Sequence, residues 1–133
     1  MIYLDTSVAL LSLLGQSGAD EAARLIMDAR ATEGLVSSCL LQVEMARAAH
    51  RDHFDVRVVD EFIAGVELVE IGPDVIARAS ALTGELKSLD AIHLATATLL
   101  DDPRHPVTVL THDARLADAA RSRGLSAIDP LGS

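Results

Sequence analysis

The chain predicts an α/β layer fold, a mainly parallel sheet of about five strands with helices on both faces. Three observations carry this. Short apolar stretches alternate with longer helical ones from end to end. Two of the stretches, "MIYL" and "VTVL", have no polar face, as suits strands covered on both sides. The 133 residues, half of them hydrophobic, point to one domain, residues 1–133, with a real core.

"MIYL" at 1–4 reads as a buried strand ending at Asp5. Thr6 to Leu14 looks helical and closes at Gly15; a second helix runs from about Ala19 to Ala31, its alanines and Ile26 near helical spacing. "GLVSS" at 34–38 is a short strand. Leu40 to His50 and Asp52 to Ala64 are helical. "VELVEI" at 66–71 alternates as a strand and stops at "GPD", where Pro suits a helix start. Asp74 to Glu85 and Lys87 to Leu100 are two further helices, followed by a loop, "DDPRHP", at 101–106. "VTVL" at 107–110 is a strand. The stretch 113–124 is a helix with Asp113 as N-cap and Gly124 just past its end. "LSAI" at 125–128 is the last strand.

Composition narrows the function. Aromatics are nearly absent (Tyr3, Phe54, Phe62, no Trp), so bases stacked on aromatic platforms are not expected. The net charge of −9 opposes a nucleic-acid partner, unless some of the acids hold divalent cations that reverse the local field. One cysteine, Cys39, excludes an internal disulfide framework and fits a reducing cytosol; a small buried residue is its expected role. The start lacks the basic region of a signal peptide, and no apolar run is long enough for a membrane span.

In an open parallel sheet, ligands bind beyond the carboxyl ends of the strands. Asp5 follows the first strand; Thr111, His112 and Asp113 follow "VTVL". Two more acids are oddly placed: Glu44 interrupts a mostly apolar helical stripe, and Asp90 stands near the start of an apolar helix. Each has a simpler reading. Asp5 and Asp113 could cap helices, Asp90 could favour a helix dipole behind a Ser88 cap, and Glu44 could pair with Arg47. Taken as a set they read differently, because buried carboxylates without partners are costly and four together demand a cation. An all-oxygen cluster suits Mg²⁺ or Mn²⁺ better than zinc. His93 reads as a core or supporting histidine.

The order of motifs resembles the PIN domain, and more closely the VapC toxins of bacterial toxin–antitoxin pairs. "YLDTSVAL", "SCLLQVEMARAA", "SLDAIHLATA" and "VLTHDARLADAARSRGL" carry the resemblance, from Met1 to about Pro130. The family's four acids fall on Asp5, Glu44, Asp90 and Asp113, its hydroxyl residue on Thr6, and its threonine before the last motif on Thr111. The resemblance implies a three-layer α/β/α sandwich and a Mg²⁺-dependent endoribonuclease, with Mn²⁺ as a possible substitute, that leaves a 5′-phosphate and a 3′-hydroxyl. It also implies a cytoplasmic homodimer neutralised by a cognate VapB-type antitoxin seated between early helices.

On this reading Asp5, Asp90 and Asp113 hold the metal, Glu44 orients the attacking water or helps hold a second ion, and Thr6 and Thr111 orient carboxylates. RNA is then gripped by local cations, with Arg47 and Arg115 the leading candidates and His50, Arg51, Arg104 and His105 behind them. "LLSLLGQSG" and the helix at 19–31 are apolar enough to leave an exposed patch. Two other classes remain open, a non-catalytic interaction module on the same fold and a metal-dependent phosphatase or phospho-acceptor. Against the second, the first strand ends in "DTS" rather than a pair of aspartates, and the one lysine, Lys87, does not follow a strand.

Overall fold

The computed structural model describes residues 1–84 and 86–132. Its elements run β1 Ile2–Leu4, α1 Thr6–Leu13, α2 Ala19–Ala31, β2 Leu35–Ser38, α3 Leu40–Asp52, α4 Val56–Ile63, β3 Glu67–Val69, α5 Pro73–Ala81, α6 Ser88–Leu100, β4 Thr108–Leu110, α7 Ala114–Ser122 and β5 Ser126–Ile128. The strands form one sheet in the order β3-β2-β1-β4-β5, and every neighbouring pair is parallel. The sheet is wholly rather than mainly parallel, so all strand ends that can carry a site lie on one edge.

Strand alternation builds the two cores. Leu4, Leu35 and Leu110 pack with Val8, Ile26, Leu41, Met45, Val59 and Phe62, residues of α1 to α4. Their chain neighbours Tyr3, Val36 and Val109 turn to the other face and pack with Leu94 and Ala97 of α6 and Leu116 and Ala120 of α7. That gives the expected three layers. The strands, three or four residues each, are almost wholly buried in the middle of the sheet.

Several boundaries differ from expectation. The helix expected from Asp52 begins at Val56. His53 takes a left-handed conformation (φ 58°) that ends α3, and the Asp55 carboxylate then caps α4 by accepting from the Arg57 N–H. The helix expected to reach Glu85 ends at Ala81, because Leu82 is extended and Gly84 turns with φ 114°; Glu85 itself lies outside the described residues. The strand expected over 66–71 is paired only at Glu67–Val69. Ser88 does not cap α6; it is the first helical residue, and no side chain caps that terminus. The leucines of "LLSLLGQSG" do not form an exposed patch: Leu11 is buried, and Leu10 and Leu13 pack on the first core. The large apolar side chains left most exposed are Met27 and Val43. Cys39 is half-buried in the turn before α3. No helix among the described residues is long and apolar enough to cross a membrane.

Candidate active site

The site is built at the carboxyl edge of the two central strands. The backbone at Asp5, just past β1, continues the ladder by donating its N–H to the Leu110 carbonyl. The residue is 4% exposed, and its side chain does not cap α1, although it sits at the N-cap position. Instead Oδ2 accepts hydrogen bonds from the Ser7 hydroxyl at 2.6 Å and the Thr111 hydroxyl at 2.8 Å. The capping explanation of Asp5 is thereby set aside.

Thr111 ties the two central strands together chemically. Its fully buried hydroxyl donates to Asp5 and accepts from the Asp113 N–H at 3.0 Å. Ser7 does likewise, accepting from the His112 N–H at 2.9 Å. Asp113 does cap α7, its Oδ1 accepting from the N–H groups of Arg115 and Leu116 at 2.9 and 3.2 Å.

Glu44 enters from α3. Its partner is not Arg47. Oε1 accepts from the Thr6 hydroxyl at 2.7 Å and lies 2.7 Å from His93 Nε2. Burial works against the charge of Glu44, but the bonds to His93 and Thr6 outweigh it and hold the carboxyl below the usual carboxylate range. His93 is 1% exposed. Burial alone would lower its pKa, but the bond to Glu44 and the charges of Asp5, Glu44 and Asp90 raise it. Its other ring nitrogen, Nδ1, lies 2.7 Å from the Tyr3 hydroxyl.

Asp90, in the first turn of α6, is different. No hydrogen bond holds its carboxylate among the described residues. Burial raises its pKa, and so do the charges of Asp5, Asp113 and Glu44, with His93 partly opposing. The four acids thus share one field although they come from four separate segments.

One pattern bears directly on metal binding. Asp5, Glu44 and Asp113 each have one oxygen held by the protein, namely Oδ2, Oε1 and Oδ1. The second oxygen of each takes no hydrogen bond among the described residues. All the donors are hard oxygens, and mutual repulsion at Asp90 favours a cation, so the set fits Mg²⁺ or Mn²⁺ in chemistry. Among the described residues, no three His, Cys, Asp or Glu side chains stand close enough together to hold one ion as they are.

Asp90 and Asp113 open into a cleft of about 500 Å³ that Leu86, Lys87, His112, Ala114 and Arg115 also line. Arg115 is exposed there; Arg47 is exposed on α3 and lies outside this cleft. Arg51 is paired with Asp52 at 3.1 Å rather than open to a ligand. Sequence reasoning missed three contributors. Ser7 reads from the sequence as a helix cap rather than as a partner of Asp5. Tyr3 looked like core. Lys87, three residues before Asp90, was weighed only as a phosphate-binding lysine after a strand.

A wholly parallel sheet with acidic side chains gathered at its carboxyl edge defines an α/β domain with an acidic strand-end site, and comparison of the sequence narrows the class. The chain belongs to the PIN domain family, whose profile matches residues 2–122. It is homologous to the VapC ribonucleases. It is 33% identical to ribonuclease VapC35 of Mycobacterium tuberculosis over 98% of this chain and 97% of that protein. Identity to ribonuclease VapC46 of the same species is 35%, over 97% of each chain. The fold is shared with a toxin–antitoxin complex from Klebsiella pneumoniae (TM-score 0.72, 24% identity, 98% of each chain). It is shared also with VapBC2 from Rickettsia felis bound to a promoter DNA fragment (TM-score 0.73, 12% identity, 97% of this chain and 98% of that one).

Proposed function

We propose that the protein is a Mg²⁺-dependent endoribonuclease toxin, with Mn²⁺ able to substitute, neutralised by a small cognate antitoxin. The observation that carries the proposal is the convergence of four carboxylates from separate segments, three with one oxygen clamped and one left over. Homology to two ribonucleases along nearly the whole chain supports the choice of RNA. The toxin–antitoxin complexes sharing the fold support the partner, and a homodimer is the expected free form.

Asp5, Asp90 and Asp113 would hold the ion. When bound, it would acidify water and offset charge on the scissile phosphate. Thr111 and Ser7 keep Asp5 Oδ2 turned to the protein, so Oδ1 is the oxygen left for a ligand. Glu44 orients the attacking water. The water oxygen bonds to phosphorus in line with the leaving O3′ and gives up its proton to solvent, the P–O3′ bond breaks, and the 3′ oxygen takes up a proton from solvent. The products are a 5′-phosphate and a 3′-hydroxyl. Arg115 in the cleft, and Arg47 beyond it, would contact the RNA backbone against the overall negative charge.

Sequencing of 5′-phosphorylated RNA ends after induction of the wild type and of Asp5→Asn tests the proposal. New ends are expected from the wild type alone. Equal ends from both, or full cleavage in EDTA, would refute it. A folded wild type that binds no Mn²⁺ by calorimetry would instead indicate an interaction module.

A further inference from the structure

Tyr3, His93 and Thr6 form a buried hydrogen-bonded chain behind Glu44, and the proton positions in that chain follow from its geometry. Thr6 donates its one hydroxyl proton to Glu44 Oε1. His93 Nε2 stands 2.7 Å from the same oxygen and 3.4 Å from the Thr6 oxygen. A bare nitrogen lone pair facing an ionised carboxylate at that distance would be repelled, so Nε2 carries a proton. The other end agrees. The Tyr3 oxygen already accepts the Ser38 N–H at 3.2 Å and lies 2.7 Å from Nδ1, so a neutral ring receives the phenol proton at Nδ1 and keeps its own on Nε2. The rings meet edge-on, with centroids 5.8 Å apart at 76°. No buried side-chain polar atom among the described residues lacks a partner, so little slack remains for another arrangement.

We propose that the buried Tyr3–His93 pair is the positioning device of Glu44: it presents Nε2–H to Oε1, which with Thr6 saturates that oxygen and leaves Oε2 to meet the water or the RNA. This rests on the ribonuclease reading above. Tyr3 and His93 are positioning residues and touch no substrate. The arrangement also accounts for where they sit. Strand alternation turns Tyr3 toward the face that α6 covers, and His93 lies one turn after Asp90 on α6. One helix therefore supplies both a carboxylate and the clamp for another carboxylate.

Three variants test it: Tyr3→Phe, which keeps the ring, His93→Leu, and His93→Gln, whose amide can still donate to Glu44. In the metal-free protein, ¹⁵N-resolved imidazole spectra should show a proton on Nε2 of His93, and Tyr3→Phe should shift both ring nitrogens. In cleavage assays of the loaded protein, His93→Leu should lower kcat about tenfold or more, with KM and Mn²⁺ affinity within about twofold of wild type. His93→Gln should recover most of the loss. An Nε2 without a proton, or unchanged kcat in His93→Leu when Glu44→Gln is inactive, would overturn the proposal. So would a loss confined to KM or to Mn²⁺ affinity. If the wild type cleaves no RNA, the ribonuclease reading fails on its own account, and the ring spectra still decide whether the clamp exists.

Discussion

Thr111→Val removes one oxygen and little else, which makes it the sharpest test of how Asp5 is held. The hydroxyl is fully buried, donates to the Asp5 carboxylate at 2.8 Å and accepts the Asp113 N–H at 3.0 Å. Valine has nearly the same shape, so no cavity opens. Losing a bond to a charged group costs about 1.5–3 kcal/mol, and orphaning the part-buried N–H adds roughly 1 kcal/mol. The apolar methyl group offsets part of this, leaving about 3 kcal/mol. For a chain of this length that corresponds to a fall in Tm of about 10 °C. The assay is thermal and urea unfolding in EDTA, so that no ion masks the difference. Asp5 would remain buried among the charges that already raise Asp90, with Ser7 as its last hydroxyl. Cleavage should fall about 10- to 100-fold as the carboxylate loses its orientation. A stability loss under about 1 kcal/mol, or unchanged cleavage, would show that Thr111 does not hold Asp5.

Asp90→Asn should abolish cleavage yet stabilise the metal-free protein by about 0.5–2 kcal/mol, the usual range when a functional strain is relieved. The sign follows from the raised pKa: the folded state binds this proton more tightly than the unfolded state does, so wild-type stability falls as pH rises from the ordinary aspartate value through the folded one. Urea titrations of both proteins should therefore agree in acid and diverge toward neutrality, and parallel curves would refute the repulsion. Asp113→Asn keeps a capping oxygen and should hold stability within about 0.5 kcal/mol while losing cleavage, whereas Asp113→Ala should lose about 1 kcal/mol as well. Equal unfolding midpoints for the two would show that the cap contributes nothing. Gly65→Ala places a Cβ 2.6 Å from Arg30 Nε, displacing a side chain that donates to the Phe62 carbonyl at 2.8 Å and lies 4.9 Å over its ring. The expected loss is about 1–2 kcal/mol by thermal unfolding, and Arg30→Ala should lower it by a similar amount. An unchanged Tm would refute the clamp.

The fold was legible where local signals agree with global packing. "MIYL" and "VTVL" are apolar on both sides because both sides are covered, and their central place in the sheet follows. Helix ends were less legible. The segment from Leu82 to Gly84 continues a helical composition, and only the extended Leu82 and the turn at Gly84 break it. The four acids stood out because each violates its surroundings, following an apolar strand or interrupting an apolar helix. The chain behind Glu44 was not legible, since Tyr3 and His93 lie 90 residues apart. Pairing them requires knowing which face of β1 the sixth helix covers, and strand alternation does not say.

Capping was one explanation of these aspartates, and the structure tests it atom by atom. Asp5 occupies a cap position but serves no cap; its Oδ2 is committed to two hydroxyls. Asp113 caps with Oδ1 alone, so a cap and a ligand can share one carboxylate. Glu44 follows the same rule through Oε1. A half-committed carboxylate has lost most of its rotational freedom before any ion arrives, which lowers the ordering cost of binding. Asp90 has no such commitment among the described residues and bears the repulsion of the other three. The set therefore consists of three carboxylates each held through one oxygen and a fourth, Asp90, that takes no hydrogen bond among the described residues, and on the proposed reading it is Asp90 that an ion would draw in beside Asp5 and Asp113.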